Sequence, residues 1–340
     1  MFVYNSLNMR QFIFILVLFL AAGFVYLSFG ELQSILHTLQ QGNFWFVILA
    51  LLIQCGWFVV TGLTYLALYR LLGMDSTIYK TSVMSAAANF VNVIAPSAGM
   101  GGMAVFISDA NRSGQPTGKV TVVSVLFIFI DYVAFLIILA AGLVILSRRN
   151  NIGPSEIAAS LVMFAIAATL GFLLYLGSRS VVALGNALAW MARLANRIVR
   201  PFIHRDYLSE ARAYEFSREV ASDLKSLPER YRSLIKPLLY AFIAKVLMMS
   251  VLMAAFLSFQ VPFTVSTIIG GFCISYLFLI VSPTPSGIGI VEGIMPLALA
   301  SLRVPWSQAV IITLAYRGIT FWFPLGVGAI AFRMLNRSSS

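Results

Sequence analysis

Ser282-Pro283-Thr284-Pro285-Ser286-Gly287-Ile288-Gly289-Ile290-Val291-Glu292 is the stretch that decides how this chain folds. It interrupts an apolar segment, 264–302, and places a carboxylate three residues after its last glycine. Proline removes a backbone donor and glycine permits tight turns, so the break frees N–H and C=O groups from helical pairing. In hydrocarbon such backbone is tolerated only where protein or water covers it. The pattern predicts a helix to about Val281, the break, and a short helix from Ile290 to Leu302. The amides that open the short helix aim at the membrane midplane, where they favour anions such as phosphate.

Working outward, the same design occurs once more upstream. Segment 81–108 reads as a helix to about Ile94, the break Ala95-Pro96-Ser97-Ala98-Gly99-Met100-Gly101-Gly102, and a short apolar stretch. Pro96 to Pro116 is 20 residues, and Pro285 to Pro305 is 20 residues. Each break precedes an apolar segment with one charge inside it: Asp131 lies 15 residues after Pro116, and Arg317 lies 12 after Pro305. The difference of three residues is about one helical turn, so the two charges can occupy equivalent faces.

The rest of the chain is just as apolar. Of its 340 residues 60% are hydrophobic and 10% charged, against roughly 45–50% and about 25% in soluble domains. Mean hydropathy is +0.92. A soluble globular protein, a collagen, a disordered chain and a disulfide scaffold are all excluded. Cys55 and Cys273 sit in apolar runs, and His37 and His204 lie in unrelated segments, so neither pair suggests a metal site. No nucleophile–base pair, nucleotide loop or metal cluster is present, and no cofactor is expected.

Apolar runs at 11–29, 44–70, 119–147, 155–177, 234–258 and 306–332 read as full spans. If each broken segment is a hairpin that leaves on the side it entered, each half holds three spans, and the second half is inverted relative to the first. The expected fold is therefore an all-α polytopic membrane protein. It has six full spans and two re-entrant Pro/Gly-broken hairpins in an inverted-topology repeat. The first repeat is 1–147 with its hairpin at 81–108, the fourth span lies in 148–178, and the second repeat is 234–332 with its hairpin at 264–302. The rival reading lets 264–282 span fully, since 19 residues rise about 28 Å.

Between the repeats, 179–233 carries ten of the 23 Lys and Arg, and the chain's formal charge is +11. Leu184, Leu188, Met191, Ala195 and Ile198 recur at helical steps, with Asn186, Arg193, Arg197 and Arg200 on another face. That is an amphipathic helix suited to anionic headgroups. Residues 205–231 read as a cytoplasmic helix or helical hairpin. Nucleic-acid binding is disfavoured, because no base-stacking motif accompanies the charge. The basic excess puts 71–80, 109–119, 178–233 and the tail 333–340 in the cytoplasm, with both termini there; Arg148 and Arg149 go against the tendency.

Ionisable residues at bilayer depth are functional candidates by default. Here they are Asp131, Lys245, Glu292 and Arg317, joined by Asn89 and Asn92 and by the break residues Gly101, Gly102, Pro285, Gly287 and Gly289 as substrate-binding candidates. The alternative is that Asp131 or Glu292 pairs with Arg317 or Lys245 to lock helices together. Neutralising Arg317 is expected to abolish function in a chain that still folds.

Pro283 through Glu292, with Ala315-Tyr316-Arg317, Phe321-Trp322-Phe323-Pro324 and Gly326, resembles the membrane domain of the lysylphosphatidylglycerol synthase/flippase family. Asn92, Pro96, Gly101-Gly102 and Asp131 resemble its upstream motif. The resemblance covers about 44–147 and 234–332. Ile128 stands where members commonly have an arginine, and residues through Ile107 are apolar where many have another. The resemblance implies a stand-alone lipid translocator in a bacterial or archaeal plasma membrane, without the aminoacyl-transferase domain of the bifunctional members. Arg317 and Lys245 would hold phosphate, while Glu292 and Asp131 would hold a cation or exchange protons. Phospholipid and polyprenyl-phosphate-linked sugar both fit as substrate, and nothing in the sequence opposes an oligomer. An accessory subunit of a lipid-synthesising enzyme and an intramembrane lipid transferase are the other readings.

Overall fold

The computed structural model describes residues 33–94, 101–147, 154–203, 209–225, 232–282 and 284–337. The expected span at 11–29, the first break at 95–100, Arg148, Arg149, His204 and Pro283 lie outside the described residues. Among the described residues the chain is helical, without strands.

Helix α1 (Phe44–Leu71) starts where the Asn43 side chain accepts from the Trp45 amide at 3.1 Å, an N-cap that satisfies one orphan donor. Gly73, at φ 69°, turns the chain into α2 (Ile78–Ile94). Beyond the first break come α3 (Gly101–Ser113), then α4 (Thr117–Ser147) directly after Pro116. Then follow α5 (Pro154–Arg179), α6 (Val181–Ile203), α7 (Glu210–Lys225) and α8 (Ile235–Ser258). A reciprocal pair of hydrogen bonds between Thr264 and Thr267 opens α9 (Val265–Val281). After a 3-10 turn at Pro285–Gly287 come α10 (Ile290–Ser301) and α11 (Trp306–Arg317). One π-helical turn, Gly318–Trp322, joins α11 to α12 (Phe323–Arg337).

Five helices are long and apolar enough to cross a membrane. They coincide with the five expected spans that fall within the described residues, so the chain is an integral membrane protein. Leu52, Phe164, Phe172 and Leu239 point outward from α1, α5 and α8, as side chains facing lipid do. The 13 residues of α3 and 12 of α10 rise only about 20 Å and 18 Å, short of the roughly 30 Å hydrocarbon core. Each doubles back on its predecessor. Lys80 near the start of α2 pairs with Asp109 near the end of α3 at 2.8 Å, and Gly271 early in α9 lies against Leu299 late in α10.

Several helix crossings knit the two halves. Helices α1 and α8 run antiparallel, with the Asn43 amide donating to the Ser258 carbonyl at 2.8 Å. Helix α4 meets α9 where Gly142 faces Cys273, and α12 meets α2 where Gly328 faces Ala86 and Phe90. Gly142 follows Asp131 by 11 residues and Gly328 follows Arg317 by 11. The charge and the crossing glycine therefore hold the same register in both halves.

A β-carbon at Gly328 would sit 2.5 Å from the Ala86 carbonyl oxygen and 2.8 Å from the Phe90 Cβ, whereas Gly326 has nothing within 4 Å. Gly328→Leu is expected to cost at least about 1–3 kcal/mol by overpacking. Gly326→Ala should be nearly silent there. Thermal unfolding of the two variants in one detergent checks the contrast.

The basic segment differs from expectation in one respect. Leu184, at the start of the apolar stripe of α6, is buried in the core that α2, α3 and α4 share. Helix α6 folds back on α7: Gly185 faces Tyr214, and the Tyr214 hydroxyl donates to Asn186 Oδ1 at 2.8 Å. Part of the stripe is therefore used inside the protein, while its Met191 is exposed, as are Val182, Trp190 and Leu194 beside it. The rest of 205–231 is helical only over α7 among its described residues.

Candidate functional site

A cavity of about 370 Å³ opens between the two interrupted segments. Helix α1 contributes Trp57, Thr61 and Tyr65; α2 contributes Ser85, Asn89 and Asn92; α3 contributes Gly102 and Met103. The far wall is Ser124, Asp131 and Tyr132 of α4, Tyr276 of α9, and Ser282, Thr284 and Ser286 of the second break. A chain that is 60% hydrophobic thus gathers hydroxyls, two amides and one carboxylate in a single hollow. Tyr65 forms part of it with its ring stacked between Phe106 and Phe127, at centroid distances of 4.0 and 4.1 Å.

Asp131 is the charged residue in that wall, and its partner stands behind it. Lys245 of α8 donates to Asp131 Oδ1 at 2.6 Å and also to the Tyr276 hydroxyl. Tyr276 in turn donates to Asp131 Oδ2 at 3.1 Å. The Lys245 side chain is 3% exposed and that of Asp131 18%, so the carboxylate meets the cavity and the ammonium does not. A closed ring of three charge-assisted bonds joins α4, α8 and α9.

The second break is tied by the other pair. Arg317 Nε donates to Glu292 Oε1, and its Nη2 donates to the Ser286 carbonyl at 3.2 Å. Glu292 Oε2 accepts from the Gly289 amide at 2.9 Å. The carboxylate therefore sits where the amides of α10 would have taken an anion, the favourable end of the helix dipole. Ser286 has φ 49° and ψ 28°, a left-handed conformation that costs a non-glycine residue about 1–3 kcal/mol unless its surroundings enforce it. Gly287, at φ 72°, lies 3.2 Å from the Leu279 Cα measured from where a β-carbon would be. Thr284 completes the knot by donating to the Ile288 carbonyl at 2.9 Å.

The first break has a simpler tie. Asn92 Oδ1 accepts from the Gly102 amide at 2.5 Å, so a side chain of α2 caps α3. The missing β-carbon of Gly102 allows this approach, since one would lie 2.8 Å from Asn92 Nδ2.

The candidates from sequence thus divide. Asn89, Asn92, Gly102 and Asp131 line the cavity, and Gly101 begins α3 beside it. Pro285, Gly287, Gly289, Glu292 and Arg317 shape the second break and reach the cavity through Ser286. Lys245 is buried behind Asp131. Neither Lys245 nor Arg317 lines the hollow, so the phosphate role assigned to them has no geometric support; the pairing alternative is the arrangement present. Sequence reading missed Tyr276, Tyr132, Thr61, Ser124 and Thr284. Tyr276 carried a usable signal, because it is the one tyrosine in the largely apolar, 17-residue α9.

A family model described as the lysylphosphatidylglycerol synthase TM region matches residues 12–328. No curated protein matches the chain.

Proposed function

Because the chain belongs to the lysylphosphatidylglycerol synthase transmembrane-region family, whose function is lipid-related, we propose that it is a lipid translocator. One observation carries the reading: a cavity of about 370 Å³, walled by residues from both breaks, that gathers hydroxyls, two amides and a carboxylate among apolar side chains. A headgroup would occupy it while its acyl chains stay in the bilayer. The hydroxyls and amides of Ser85, Asn89, Asn92, Thr61 and Thr284 suit a hydroxyl-rich or phosphate-ester headgroup through hydrogen bonds, and Asp131 suits a cationic substituent. Transport through it is downhill or ion-coupled.

The architecture that serves this function is an inverted repeat. Helices α1 and α8 are antiparallel, α9 packs on the last span of the first half, and α2 packs on that of the second. With 11–29 as a sixth span, the two short hairpins enter from opposite sides and meet at the cavity. Both termini then face the cytoplasm of a plasma membrane.

Purified full-length protein in liposomes, with fluorescent phosphatidylglycerol quenched from outside by dithionite, tests the proposal. Wild type is expected to expose inner-leaflet lipid that protein-free liposomes retain. Asn89→Trp, which fills the cavity from a partly exposed wall position, is expected to remove that exposure while the protein remains monodisperse. Equal quenching with wild type, Asn89→Trp and no protein would count against translocation of this lipid.

A further inference from the structure

A second hollow, of about 610 Å³, lies at the other side of α1 from the cavity's chemistry and is lined by Arg70, Arg232, Lys236 and Tyr240. Leu63, Leu66 and Ala67 form its apolar wall. We propose that it is a binding site for one anionic phospholipid, distinct from the translocation cavity. The reading does not depend on translocation.

Register explains how the site is assembled. The antiparallel pair α1 and α8 is pinned at one end by Asn43 and Ser258. Arg70 is 27 residues from Asn43 and Arg232 is 26 from Ser258, so both reach the same level at the other end. Arg232, Lys236 and Tyr240 recur every fourth residue, and Leu63, Leu66, Ala67 and Arg70 follow three- and four-residue steps. Each set is one helical face, and the two faces look at each other across the hollow.

Charge selects the occupant. Among the described residues three cations and no carboxylate line the hollow. Arg70 and Lys236 bring like charge to it from two facing helices, and a phosphate between them relieves their repulsion; arginine's planar fork is the side chain best matched to phosphate oxygens. Polarity is also graded along the hollow. Arg70 and Arg232 stand at the helix ends, and further in Ala67, Leu66 and Leu63 of α1 face Lys236 and Tyr240 of α8. A phospholipid matches that gradient, with its phosphate at the helix ends and its apolar part against the α1 wall. Free inorganic phosphate would satisfy the cations and leave the partly exposed Leu63 and Ala67 uncovered, so the lipid is the better fit. Anionic headgroups are attracted to basic residues at a membrane surface by about 1 kcal/mol each.

Arg70, Arg232 and Lys236 are exposed, so substituting them does not strip the core. The full-length protein in mild detergent is titrated with dioleoylphosphatidylglycerol and with dioleoylphosphatidylcholine, and bound lipid is counted by native mass spectrometry. Wild type is expected to retain one phosphatidylglycerol in preference to phosphatidylcholine. Arg70→Ala/Lys236→Ala should weaken that retention at least about tenfold, the equivalent of one charge-assisted bond. Arg70→Lys/Lys236→Arg should keep it. Asn89→Trp should keep it too, which separates this site from the translocation cavity. Equal retention of the two lipids, retention unchanged in the alanine pair, or displacement of the lipid by equimolar inorganic phosphate would each overturn the proposal.

Discussion

Arg317→Ala is expected to destabilise the protein severely, beyond any effect on transport. The Arg317 side chain is 2% exposed and that of Glu292 14%. Removing one member of a buried ion pair leaves the other as an uncompensated charge and costs about 3–5 kcal/mol. A further loss falls on Ser286, whose carbonyl is held by Arg317 Nη2 and whose left-handed backbone needs that restraint. This revises the expectation from sequence, in which the variant folds normally and fails only to bind phosphate. Thermal unfolding in detergent should show the largest drop for Arg317→Ala and a smaller one for Arg317→Met/Glu292→Met. The double variant leaves no charge stranded, and apolar replacement of a whole buried pair is often neutral for stability. An Arg317→Ala protein that unfolds at the wild-type temperature would sink the structural role assigned here.

The same comparison shows what could be read from the chain alone. Proline and glycine report local backbone conformation, so the ends of α2 and α9 and the starts of α3 and α10 were legible from Ile94, Gly101, Val281 and Ile290. Periodicity and length placed the spans for the same reason. What joins Asp131 to Lys245 is tertiary: the two are 114 residues apart, and the sequence offers four ion-pair combinations among two acids and two cations without choosing one. The π-helical turn at Gly318–Trp322 left no mark that composition could reveal, since Gly-Ile-Thr-Phe-Trp is equally good α-helix or loop. Its place is set by packing: a β-carbon at Gly318 would lie 2.5 Å from Ile35 Cγ2. Such turns widen a helix locally and recur at functional sites. Here the turn begins one residue after Arg317, whose guanidinium lies over the Phe321 ring at 4.6 Å.

The pair behind the cavity should behave asymmetrically, and the asymmetry separates a helix lock from a working carboxylate. Asp131→Asn leaves Lys245 charged, 3% exposed, and held by a tyrosine hydroxyl and an amide, so a loss of about 3–5 kcal/mol is expected. Lys245→Met is expected to cost less. Its stranded partner, Asp131, lines the cavity, where water can reach it, and it keeps the Tyr276 hydroxyl as donor at 3.1 Å. The double variant Asp131→Asn/Lys245→Met strands no charge and should unfold near the temperature of the wild type. Lipid exposure in the dithionite assay is then the deciding readout. If the pair only clamps α4 to α8, the double variant restores transport along with stability. If Asp131 handles the headgroup or a coupled cation, the double variant is stable and inactive. The second outcome is the expected one, because a carboxylate needed only as a clamp gains nothing from facing the hollow, where hydration weakens its hold on Lys245.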